Sequence, residues 1–70
     1  MAKVITNSIR RLRFDQDEMT QKALADLVGV SRQTIVAIEK GKYSPSLEVA
    51  FKIAEVFEIS ISEIFQYVEQ

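Results

Sequence analysis

The residues best equipped for recognition chemistry cluster near the middle of the chain. Arg32 and Gln33 are adjacent, Thr34 follows, and Lys40, Lys42 and Tyr43 come shortly after. A guanidinium is a planar fork of donors, and a carboxamide sets donor and acceptor side by side. Both groups suit two-point hydrogen bonding. Catalytic groups are scarce by comparison. The 70 residues contain no His and no Cys. That removes the commonest general base and metal ligand, along with any thiol nucleophile. Ser, Thr, Asp and Glu alone offer no plausible triad, and so short a chain leaves no room for a deep substrate pocket. We therefore expect no enzyme activity, no metal, no cofactor and no small-molecule ligand.

The positioning elements come from one small domain spanning residues 1–70. With 47% hydrophobic and 27% charged residues, the chain should fold rather than stay disordered. No stretch approaches the ~18 consecutive apolar residues of a membrane span. The start of the chain lacks the apolar run of a secretion signal, so a cytoplasmic location is expected. The net charge of −1 conceals an uneven distribution. Residues 1–43 carry eight Lys and Arg against five Asp and Glu, whereas residues 44–70 carry Lys52 against five Glu. One half is basic and the other acidic.

Helical periodicity dominates. Ile5, Ile9 and Leu12 recur at one-face spacing and predict a first helix over about 5–14. Thr20 reads as an N-cap, and Leu24, Leu27 and Val28 mark one side of a second helix over 21–28 that Gly29 closes. Ser31 caps a third helix over 32–40, with Ile35 and Ile38 inward and Gly41 behind it. Ser44 or Ser46 can cap a fourth helix over 47–57. Its spacing places Leu47, Ala50, Ala54 and Phe57 inward and leaves Val49, Ile53 and Val56 on another flank. Ser60 and Glu63 have the capping-box spacing and predict a fifth helix over 61–68. No β-strand is expected.

Two of these helices are joined by only Gly29-Val30-Ser31, with small Ala25 at their crossing and Leu24, Val28, Val30, Ile35 and Ile38 as the shared apolar set. This is a helix-turn-helix pattern. The run Thr20–Ile35, continued by Ile38–Leu47, resembles the XRE-type regulators related to the phage Cro and repressor proteins. The likeness covers about residues 7–67. It implies an all-α, compact five-helix bundle (a lambda-repressor-like DNA-binding domain) that binds operator DNA as a dimer. The chain departs from the common pattern in a longer acidic link between helices one and two, in Val36, and in Glu58 where Gly often closes helix four.

Docking geometry then assigns roles. A recognition helix presents its N-terminal residues to base edges in the major groove. With Ile35 and Ile38 inward, the outward stripe is Arg32, Gln33, Val36 and Ala37. Arg32 can take guanine O6 and N7, Gln33 can take adenine N6 and N7, and Val36 and Ala37 can meet thymine methyls. Thr34, Lys40, Lys42, Tyr43 and Arg11 are candidate phosphate contacts, with Arg10 and Arg13 adding positive charge. Gln21 joins them through its match to the family's phosphate-contacting glutamine.

The acidic C-terminal third holds more apolar residues than one small core needs. We expect a homodimer through Ile61, Ile64, Phe65, Tyr67 and Val68. The leading expectation is a sequence-specific, double-stranded DNA-binding transcriptional regulator acting as a repressor. The competing one is a protein-interaction module, such as the antitoxin or adaptor half of a pair.

Overall fold

The computed structural model describes residues 2–70. In chain order the elements are β1 (Lys3–Asn7), α1 (Ile9–Asp15), α2 (Gln21–Val28), α3 (Arg32–Glu39), α4 (Leu47–Phe57), α5 (Ile61–Ile64) and β2 (Phe65–Glu69).

Local chemistry sets most helix boundaries. The Thr20 hydroxyl accepts from the Ala23 N–H at 3.0 Å, Ser31 from Thr34 at 3.1 Å and Ser46 from Val49 at 3.2 Å. Each satisfies a donor that the first helical turn leaves free. Gly29 closes α2 in the left-handed region at φ +77°, and its N–H and that of Val30 both return to the Ala25 carbonyl. Glu58 closes α4 in the same region at φ +57° without glycine's freedom. At α5 the Ser60 N–H and hydroxyl both donate to the Glu63 carboxylate at 3.0 Å.

Five helices form as expected, but two termini differ. Lys3–Asn7 is a strand where none was expected, so the first helix starts at Ile9 rather than near residue 5, and α5 ends at Ile64 instead of running to 68. β1 and β2 pair antiparallel, with Lys3 opposite Glu69, Ile5 opposite Tyr67 and Asn7 opposite Phe65. Val4, Ile5 and Thr6 are β-branched and favour a pleated backbone. Their partner arrives some sixty residues later, so a local window sees only the ambiguous helical spacing. Ile5 is consequently 44% exposed on the sheet, while Ile9 is fully buried.

The core gathers Ile9, Leu24, Ala25, Val28, Ile35, Ile38, Ile53, Ala54, Phe57 and Ile64. Each fully buried Leu or Ile contributes roughly 1.5–3 kcal/mol of transfer free energy. Three expectations for helix faces are corrected. Ile53 is fully buried rather than on a flank, and Leu47, placed inward, is 70% exposed. The inward stripe of α4 is Ala50, Ile53, Ala54 and Phe57; Leu47 lies one turn earlier, beyond the core, beside Ile5 and Tyr67. Leu27 is 61% exposed, because Leu24, Ala25 and Val28 already fill the inner stripe of α2.

Candidate nucleic-acid interface

The α2–turn–α3 unit is rigidly anchored. Ala25, 1% exposed, lets the two helices approach closely, and Val30 packs against the core behind the turn. Ile35 and Ile38 are buried, which fixes the rotation of α3 about its axis. Arg32 and Gln33 are exposed as a result, while Val36 and Ala37 are half-buried beside them. Thr34 is also half-buried, and its hydroxyl shares a 3.0 Å hydrogen bond with that of Ser31. Lys40, Gly41, Lys42 and Tyr43 follow as an exposed run, with Gly41 at φ +74° turning the chain.

The far end of α3 is held by two polar clamps. The Asn7 Nδ2 donates to the Ile38 carbonyl at 3.0 Å, and its Oδ1 accepts from the Ile9 N–H at 3.1 Å. One side chain thereby ties β1, α1 and α3 together. The second clamp centres on Glu39. Arg13 Nε donates to Glu39 Oε2 at 2.6 Å and Arg13 Nη2 to Oε1 at 3.0 Å, a two-point pair. Arg13 Nη1 also donates to the Met19 carbonyl at 2.7 Å. Gln21 Nε2 donates to the same Glu39 Oε1 at 3.2 Å. The Arg13 and Glu39 side chains keep only 14% and 9% of their exposure.

This network revises the charge reading of α1. Arg13 is spent inside the protein, leaving Arg10 and Arg11 exposed. Gln21 is half-buried at the start of α2, already oriented by Glu39. Neither Asn7 nor Glu39 stood out in the sequence. Arg13 and Glu39 are 26 residues apart and Asn7 and Ile38 are 31 apart, so no local spacing signals either contact.

The residues expected at a dimer contact separate by burial. Ile64 is fully buried in the protomer's own core, because α5 stops there and turns into β2, so it offers nothing to a partner. Ile61 and Phe65 are half-buried, while Tyr67 and Val68 are 66% and 39% exposed on β2. The Lys3 ammonium lies 5.3 Å from the centroid of the Tyr67 ring. Among the described residues no helix is long and apolar enough to cross a membrane.

The helix-turn-helix family profile matches residues 9–64. The chain is 63% identical over 49 residues to an HTH-type transcriptional regulator of Methanocaldococcus jannaschii, covering 70% of this chain and 74% of that protein. It is 36% identical over 61 residues to the CTXphi transcriptional repressor RstR of Vibrio cholerae, covering 87% of this chain and 54% of that one. In fold it is similar to the transcriptional regulator VanUg, with a TM-score of 0.81 at 24% identity over all of this chain and 92% of that one. The crystal structure of a Bacteroides fragilis protein superposes with a TM-score of 0.76 at 25% identity, covering 90% of this chain and all of that one. The profile match spans most of the chain, including the buried α2–turn–α3 unit and its exposed Arg32–Gln33 start, and the chain belongs to the helix-turn-helix family of DNA-binding transcriptional regulators, of the XRE type.

Proposed function

We propose that this protein reads a specific duplex sequence with α3 in the major groove and represses transcription from it. The observation that carries this is the orientation of α3: buried Ile35 and Ile38 leave Arg32 and Gln33 exposed at its N-terminal end. Those two side chains supply the hydrogen bonds to base edges, and Val36 and Ala37 supply apolar contact to thymine methyls. Gln21, Thr34, Lys40, Lys42, Tyr43 and Arg11 hold the phosphates on either side, giving affinity without sequence information. Binding needs neither catalysis nor a cofactor, and takes place in the cytoplasm.

The protein binds as a homodimer through Ile61, Phe65, Tyr67 and Val68. Two-fold pairing would set the recognition helices about one DNA turn, ~34 Å, apart. Selection of duplexes from a random library tests both points. It should return an inverted repeat with that half-site spacing, and the combined Arg32→Ala and Gln33→Ala variant should lose the enrichment while staying folded. Enrichment of nothing by a folded wild-type protein, at low salt, would reject the proposal.

A second reading is favoured by the exposed apolar side chains Leu47, Phe51 and Tyr67. They would suit the DNA-linked half of a protein pair. A stoichiometric partner that survives the double substitution, together with no selected operator, would favour that reading instead.

A further inference from the structure

We propose that Glu39, an acid on the DNA-facing side, raises DNA affinity, and that it does so as a positioning residue for a phosphate seat formed by Arg10, Gln21 and Lys40. The inference rests on the DNA-binding reading above and adds to it Arg10 as a phosphate contact and Glu39 as the residue that orients Gln21.

A shallow cleft between α1, the start of α2 and the end of α3 is lined by Arg10, Arg13, Gln21, Val36, Glu39 and Lys40. Val36 belongs to the outward stripe of α3, so the cleft opens on the side that meets DNA. Three cations and one anion face it. The Arg13–Glu39 pair cancels one of each, and among the described residues neither Arg10 nor Lys40 is in an ion pair. Two free cations therefore flank Gln21, and this net positive charge favours a backbone phosphate there.

Gln21 carries two hydrogens on Nε2, and one is committed to Glu39 Oε1 at 3.2 Å. That bond fixes the amide plane and leaves the second hydrogen to donate to a phosphate oxygen. Glu39 is fixed in turn by two bonds from Arg13, which is itself held by the Met19 carbonyl. The chain of contacts orders Gln21 before DNA arrives, so less freedom is lost on binding.

Simple charge logic predicts the opposite sign. A carboxylate near the phosphates should repel them, and its removal should tighten binding. The test is titration of a short mixed-sequence duplex with folded protein between about 50 and 200 mM salt. Glu39→Gln leaves one acceptor oxygen where two are used, and should weaken binding about three- to tenfold. In a Gln21→Ala background the same change should weaken binding no further, which a merely structural role for Glu39 would not produce. Arg10→Ala removes one phosphate contact. Its deficit relative to wild type should therefore shrink about 3.5-fold over that salt range, from a slope change of ~0.9. Lys52→Ala, an equal loss of charge on α4, should leave the slope unchanged.

A folded Glu39→Gln protein that binds as tightly as wild type, or tighter, overturns the role of Glu39. An Arg10→Ala slope equal to that of wild type overturns the seat. Should Glu39→Gln fail to fold, Gln21→Ala, which removes the group that Glu39 orients, should by itself weaken binding about three- to tenfold at fixed salt. Equal binding would overturn the role of Glu39, and the Arg10→Ala slope still decides the seat. Wild-type protein that binds no duplex at low salt would instead remove the DNA reading itself.

Discussion

Substituting Arg13 by Ala should be among the most damaging single changes in this domain. The Arg13 guanidinium makes two bonds to Glu39 and one to the Met19 carbonyl. At 14% and 9% side-chain exposure, solvent screening offsets little of that loss. Removing Arg13 leaves the Glu39 carboxylate buried with only the Gln21 amide for company. Breaking a buried pair from one side costs about 3–5 kcal/mol, because an uncompensated charge remains. A domain of this length has only roughly 4–10 kcal/mol of total stability. At ~4–8 °C per kcal/mol, Tm should fall by at least about 12 °C. Replacing both partners at once, as Arg13→Met with Glu39→Met, removes the stranded charge and should recover most of the loss. Urea unfolding followed by circular dichroism measures all three proteins. An Arg13→Ala loss below about 1 kcal/mol would show that the pair behaves as an exposed surface bridge. A double variant no more stable than Arg13→Ala would refute the charge-burial argument.

Three other outcomes are expected. Ile35→Ala should cost about 2–5 kcal/mol, since the side chain is fully buried in the core, and thermal melting reads it directly. Glu58→Gly should stabilise the domain by up to about 1 kcal/mol, seen as a higher urea midpoint, because φ +57° suits glycine better than glutamate. The Ser60 backbone N–H and then its hydroxyl hold the Glu63 carboxyl below its ordinary value. A folded-state pKa below the unfolded one contributes stability that is complete above the usual carboxylate range and is lost as pH falls through the lowered value. Glu63→Gln should therefore flatten the stability profile in that acidic window, and an unaltered profile would show that this capping box contributes nothing.

Much of the α2–turn–α3 geometry was readable because its signals are short-range. Thr20, Ser31 and Ser46 cap helices with hydroxyls three residues before the N–H they accept from. Gly29 supplies a backbone angle that other residues adopt only at a cost. The three-residue turn and the Ile35–Ile38 spacing then force Arg32 and Gln33 outward. Leu47 misled for the same reason that Ala50, Ala54 and Phe57 were placed inward: periodicity identifies a stripe but not where the core beneath it ends.

By itself, then, the sequence determined the helix-turn-helix and the outward face of its third helix, since both depend on contacts within a few residues. Tertiary structure alone decided the rest. Val4, Ile5 and Thr6 became a strand only because Phe65–Glu69 lies alongside them, and that pairing also cut the last helix short at Ile64. Arg13 looked like a charge for DNA until Glu39, 26 residues away, claimed it. In both cases a side chain's or backbone's partner is remote along the chain, and a local pattern carries no information about who that partner is.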